Sequence, residues 1–81
     1  MTWTLYVLRC RDGSLYAGIT TDLERRLHQH QDGQASRYTR GRGPVKIVYS
    51  EPCASRSQAL KRERAVKALS RDAKERLLQT S

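Results

Sequence analysis

The chain has 81 residues, and sixteen Lys and Arg against eight Asp and Glu give it a formal charge of +8, with 37% hydrophobic residues. That length allows one domain, residues 1–81, with a thin core in which helices cover one sheet face, and it excludes a separate regulatory module. The charge favours phosphate polymers as partners, and no apolar run approaches the roughly 20 residues that span a bilayer.

Trp3, Leu5 and Val7 alternate with Thr4, Tyr6 and Leu8, the period-two pattern of a strand over Trp3 to Cys10. Arg11-Asp12-Gly13-Ser14 supplies turn chemistry, and Leu15 to Ile19 reads as the returning strand. Two registers are open. A two-residue Asp-Gly turn pairs Tyr6 with Ile19. A three-residue loop with Gly13 in the left-handed bulge position pairs Tyr6 with Gly18 and Leu8 with Tyr16. Only the second puts Tyr6 and Tyr16 on one face.

A helix follows. Thr21-Asp22-Leu23-Glu24 fits a capping box, and Gly33 is placed to end the helix. At about 100° per residue, Leu23, Leu27 and His30 share a stripe with Arg26 at its edge, whereas Arg25 points to the opposite side. Gln34 to Pro44 is polar, basic and broken by glycines, a loop. Val45, Ile47 and Tyr49 alternate in a third strand, Val45 to Ser50. Ser55-Arg56-Ser57-Gln58 is a second capping box, opening a helix that runs to about Leu69, and Ser70 caps a last short helix carrying Ala73, Leu77 and Leu78. The expected fold is α+β: a small, mostly antiparallel three-stranded sheet flanked by helices, in the order ββαβαα.

The positive charge is not spread evenly. No carboxylate lies between Asp32 and Glu51, yet Arg37, Arg40, Arg42 and Lys46 do, with Tyr38 among them. Lys61, Arg64 and Lys67 belong to a second basic run on the following helix. A charge that served solubility alone would not concentrate on one loop and one helix, so these residues are candidates for a phosphate-facing surface. Cys10 and Cys53 lack Cys-x-x-Cys or Cys/His spacing and are expected to be buried, inert thiols. The first residues lack a charged region followed by an apolar stretch, so the cytoplasm is the expected location.

No phosphate-binding loop, dinucleotide fingerprint or nucleophile elbow is present. His28 and His30, two apart on a helix, make a poor metal pair. Glu63 stands among Lys61, Arg62, Arg64 and Lys67, on the side of Ala59 and Val66. It either neutralises its neighbours or faces inward and holds one hard divalent cation, with water and phosphate completing the shell. Four of the five aromatic residues are Tyr and none is Phe, so four hydroxyls need partners. Tyr6 and Tyr16 are either ordinary core residues with satisfied hydroxyls or paired groups of a site.

Leu5-Tyr6-Val7, followed by Tyr16-Ala17-Gly18, resembles the paired motif of the GIY-YIG nucleases. Asp22-Leu23-Glu24-Arg25-Arg26-Leu27 resembles the stretch carrying that superfamily's catalytic arginine, matching Arg26, and His30 matches a histidine frequent in it. Glu63 within Gln58-Ala59-Leu60-Lys61-Arg62-Glu63-Arg64 matches its metal-binding glutamate. Tyr38-Thr39-Arg40-Gly41-Arg42-Gly43-Pro44-Val45 is similar to the small stand-alone bacterial subfamily, itself similar to the catalytic domain of structure-specific endonucleases. The resemblance spans about residues 3 to 70.

It implies an endonuclease that uses one Mg²⁺ or Mn²⁺, held by Glu63, to hydrolyse nucleic acid, DNA above all, in repair or recombination. Tyr6, Tyr16, Arg26, His30 and Glu63 are the catalytic set it implies. Tyr6 or Tyr16 takes the proton from water, with Tyr16 preferred and Tyr6 then positioning that water or the phosphate; Arg26 binds the phosphate, and His30 orients its neighbours or relays a proton. Thr4 and Ala17 depart from the name motif, and the chain contains no Asn, although many members carry one near the domain's end. The alternative is therefore a non-catalytic basic nucleic-acid-binding module on the same fold. So small a surface has little capacity for groove readout, so substrate structure or a protein partner is expected to supply targeting.

Overall fold

The computed structural model describes residues 2–35, 37 and 39–79. Its elements are β1 (Trp3–Arg9), β2 (Leu15–Thr20), α1 (Leu23–Gln31), β3 (Lys46–Cys53), α2 (Arg56–Ala68) and α3 (Arg71–Gln79). The order is the expected ββαβαα, and the sheet is antiparallel throughout, in the spatial order β2-β1-β3.

The hairpin takes the three-residue loop. Cys10 and Ser14 close it through Cys10 N–H to Ser14 O at 2.8 Å, Gly13 N–H reaches Cys10 O at 2.9 Å, and Gly13 has φ +87°. Glycine is suited to that left-handed position because it has no Cβ. The resulting register pairs Tyr6 with Gly18 and Leu8 with Tyr16.

Helices cover both sheet faces, not one. Leu5, Val7, Ala17 and Cys53 pack with Ala59 and Val66 of α2, with Leu77 and Leu78 of α3 beside them. On the opposite face Tyr6, Leu8, Cys10 and Val45 pack with Tyr16, Ile47 and, from α1, Leu23 and Leu27. The central strand is buried on both sides, so its period-two pattern is apolar on each face. Both cysteines are buried free thiols.

Two local details differ from the sequence reading. The N-cap of α1 is Asp22, whose carboxylate accepts from Arg25 N–H at 3.1 Å. A cap of this kind needs only an acceptor three residues before its amide, and Asp supplies one as well as Thr. The third strand runs on to Cys53 and carries a bulge: Val7 pairs with Tyr49 and Leu8 with Ile47, which leaves Val48 as the extra residue. Val45 and Ile47 therefore keep the α1 face, while Val48 and Tyr49 turn to the α2 face. There Tyr49 Oη donates to Glu51 Oε1 at 2.8 Å and Arg62 Nε donates to the same oxygen at 2.9 Å.

The caps of α2 and α3 fall on the expected serines. Ser55 Oγ accepts from Gln58 N–H at 3.2 Å, and Ser70 Oγ from Ala73 N–H at 3.1 Å. An ion pair from Arg9 to Glu75, at 2.6 Å, ties α3 to the central strand.

Leu5 is fully buried and Leu69 is 36% exposed. In urea unfolding, Leu5→Ala is expected to cost about 2–5 kcal/mol, the range for a truncated core Leu. Leu69→Ala should stay within about 0.5 kcal/mol, as surface changes do.

Candidate active site

β1 and β2 each contribute one phenol to the α1 face, and α1 contributes an imidazole between them. Tyr6 and His30 are 2% and 1% exposed, and Tyr6 Oη lies 2.8 Å from His30 Nε2. Both rings meet His30 edge to face, with centroids 5.7 Å away for Tyr6 and 5.2 Å for Tyr16. The second ring nitrogen, Nδ1, lies 2.8 Å from Thr39 Oγ1, and Thr39 is itself 1% exposed.

Gly18 makes room for this arrangement. It is the cross-strand partner of Tyr6, and the phenol lies directly over it: a Cβ built there would sit 2.5 Å from Tyr6 Oη and 2.6 Å from Cζ. No side chain fits at 18 while Tyr6 keeps its place.

Glu63 belongs to α2, the helix that covers the other face. Lys67 links it to the same group around β2, an edge strand. Lys67, one turn beyond Glu63, lies over the Tyr16 ring at 5.7 Å from its centroid and pairs with Glu63 Oε2 at 3.5 Å. The charge of Glu63 is felt at Tyr6. Burial pushes the Tyr6 phenol far above its ordinary range; Tyr16 and Glu63 push it the same way, against the pull of Arg26. Tyr6 is thus held protonated. His30 is lowered from its ordinary value, first by burial and then by the Arg26 cation, which holds it neutral.

Arg26 is half-buried and Arg25 exposed, as the helical phase predicts. Arg26 forms no ion pair with a carboxylate among the described residues. The side chain of Glu63 is 18% exposed, and the described residues hold no cluster of three or more His, Cys, Asp or Glu. A cation at Glu63 would take one protein oxygen and draw the rest from water and phosphate. Mg²⁺ accepts that donor set; Zn²⁺, which is held by three or four protein ligands, usually with His or Cys among them, does not.

Of the residues expected on a phosphate-facing surface, Arg37, Arg40, Lys46, Lys61 and Arg64 are exposed. Lys67 is half-engaged by Glu63, and Arg42 donates to Asp12 Oδ2 at 3.1 Å, which offsets part of its charge. Tyr38 lies outside the described residues. Sequence reasoning missed Thr39 and the part played by Gly18. A small hydroxyl in a polar loop carries no pattern that marks it as buried.

Residues 2–76 match the GIY-YIG catalytic domain, and the chain belongs to that nuclease family. It is 50% identical over 74 residues to a UPF0213 protein of Natronomonas pharaonis, covering 91% of this chain and 87% of that one. It is 49% identical over 76 residues to the UPF0213 protein YhbQ of Escherichia coli strain K12, covering 94% and 76%. The solution NMR structure of the UPF0213 protein BH0048 from Bacillus halodurans matches with TM-score 0.66 and 43% identity, covering 100% of this chain and 86% of that one. That of EF2693 from E. faecalis matches with TM-score 0.68 and 44% identity, over 99% and 85%.

Gly18→Ala is expected to force Tyr6 off His30 and to cost about 1–3 kcal/mol in urea unfolding, as overpacking does; an unchanged midpoint would show that the phenol has another place to go. A second expectation concerns pH. Because His30 is lowered in the fold, the unfolded chain takes up the proton first on acidification. The stability this contributes is present above the unfolded value of about 6.5 and is lost as pH falls from there through the lower folded one. The urea midpoint should decline between about pH 7 and 5, and His30→Gln should flatten that decline. Equal slopes would contradict it.

Proposed function

We propose that the protein is a metal-dependent endonuclease that hydrolyses phosphodiester bonds of nucleic acid, DNA in the first place, within one domain spanning residues 1–81. A role in repair or recombination in the cytoplasm goes with this reading. One observation carries it: phenols from two neighbouring strands, Tyr6 and Tyr16, both meet the His30 imidazole, and Lys67 links Tyr16 to the Glu63 carboxylate around the edge strand.

The residues divide the work by environment. Tyr16 is the group that takes a proton from the attacking water. Tyr6, buried, protonated and hydrogen-bonded to His30, orients that water. Arg26, at the edge of the α1 face, binds the scissile phosphate with charge-assisted and potentially bidentate hydrogen bonds, a geometry that Lys does not reproduce. Bound by Glu63, a Mg²⁺ or Mn²⁺ ion supplies Lewis-acid stabilisation of the charge that develops on the phosphate and the leaving oxygen. Arg37, Arg40 and Lys46 on the loop side, and Lys61, Arg64 and Lys67 on α2, hold the flanking backbone. Phosphate contacts of this kind position a nucleic acid without reading its sequence.

Purified Glu63→Ala protein, folded by circular dichroism, is expected to lose Mg²⁺-dependent nicking of supercoiled DNA. Arg26→Ala should lose about 10²-fold or more, the scale for removing a group that stabilises developing charge, and Arg25→Ala far less. Undiminished nicking by Glu63→Ala, or equal losses at 25 and 26, would refute the assignments. DNA binding by the unmutated protein without cleavage in Mg²⁺ or Mn²⁺, relative to an EDTA control, would instead identify a binding module.

A further inference from the structure

The loop between α1 and β3 is fastened at several points. Gln31 clamps Val45 in both directions, donating from Nε2 to Val45 O at 2.7 Å and accepting from Val45 N–H at 3.0 Å. Arg11 N–H donates to Arg42 O at 2.8 Å, and Arg42 N–H to Thr39 O at 3.0 Å. Within this frame Thr39 turns inward to His30 Nδ1 while Arg37 and Arg40 stay exposed. A hydroxyl at 1% exposure that meets the only buried imidazole among the described residues has a chemical consequence beyond packing.

A neutral imidazole carries one hydrogen, so it donates at one nitrogen and accepts at the other. His30 has a hydroxyl at each. A phenol is a stronger acid than an aliphatic alcohol, so Tyr6 is the better donor to an imidazole nitrogen. Tyr6 O–H then donates to Nε2, the ring hydrogen sits on Nδ1, and Nδ1–H donates to Thr39 Oγ1. The direction of this chain decides what Tyr6 shows the site. With its hydrogen turned to His30, its oxygen presents lone pairs and accepts a hydrogen from water. In the other tautomer Nε2–H occupies one lone pair of the phenol oxygen, and the hydroxyl hydrogen is turned outward, so Tyr6 meets water chiefly as a donor.

We infer that Thr39 is a positioning residue for the proposed hydrolysis: by accepting from Nδ1 it fixes the tautomer of His30 and so keeps the Tyr6 oxygen an acceptor toward the attacking water. This rests on the nuclease reading above. Thr39 is buried and acts through two intervening hydrogen bonds.

The test compares the full-length protein with Thr39→Val, of nearly the same shape without the hydroxyl, and Thr39→Ser, which keeps it. The ring nitrogens of ¹⁵N-labelled His30 are read by NMR, and cleavage of a DNA oligonucleotide is read with Mg²⁺ as kcat and KM. Expected are an Nδ1–H signature in the unmutated protein and in Thr39→Ser, and its loss in Thr39→Val. Thr39→Val should lower kcat about 10-fold or more, the range for groups that orient metal-binding histidines, with KM nearly unchanged, and Thr39→Ser should restore it.

An Nε2–H signature in the unmutated protein overturns the inference, as do an unmutated tautomer and kcat in Thr39→Val. Equal losses in the Ser and Val variants would also overturn it, because they would mark a packing role. If Thr39→Val does not fold, the unmutated and Ser signatures still decide. The NMR reading needs no cleavage, so an unmutated protein that never cuts DNA defeats the nuclease reading and leaves the tautomer question answered on its own.

Discussion

The register of the first hairpin is the constraint on which the site depends. Side chains alternate across a strand, so a slip of one residue would carry Tyr16 to the face under α2 and leave Tyr6 alone against α1. The register is set by Gly13 at φ +87°, which lets a three-residue loop close with Cys10 and Ser14 facing each other. Nothing in the strands themselves demands it, since both carry apolar residues on each face. Local turn chemistry therefore decides whether two phenols meet one imidazole.

The second constraint is the edge position of β2. A carboxylate on α2 and a phenol on the α1 face lie on opposite sides of the sheet, and across a central strand they would be screened from each other by backbone and side chains. Around an edge they are not. Gly18 sits on that strand opposite Tyr6 and adds no bulk, and Lys67 reaches over the Tyr16 ring from the far side. The bulge in β3 performs the complementary task on the other edge. It turns Tyr49 away from the α1 face and into a network with Glu51 and Arg62. One arginine of α2 is thereby committed to structure, while its neighbours Lys61 and Arg64 remain exposed.

Much of this was legible in the residues. Period-two alternation gave the first strand and turn chemistry its return, serine caps gave the starts of α2 and α3, and helical phase separated Arg26 from Arg25. These features are local, and local chemistry is what a sequence displays. What was not legible depends on long-range packing. The bulge broke an alternation that looked regular, because Val45, Ile47 and Tyr49 satisfy one face in the sequence and two in space. The cap of α1 moved from Thr21 to Asp22, since either side chain offers an acceptor. Thr39 sits in a loop whose composition predicts exposure, and only its contact with a buried ring sets it apart. The site's position, wrapped around an edge from both faces, follows from sheet order, which the pattern of any one strand does not contain.

Two tyrosines of the same intrinsic chemistry are separated here by their surroundings, which is how a protein assigns different tasks to identical groups. Tyr6 is enclosed, set edge to face against His30 and hydrogen-bonded to it, and burial above all discourages its ionisation. A phenol in that state keeps its hydrogen and can offer its oxygen in a fixed direction. Tyr16 is half-buried on the edge strand, beside the Lys67 cation. The second is the more exposed of the two, which suits it to proton transfer with water. The asymmetry follows from one being on the central strand and the other on the edge, so the division of roles was settled when the hairpin chose its place in the sheet.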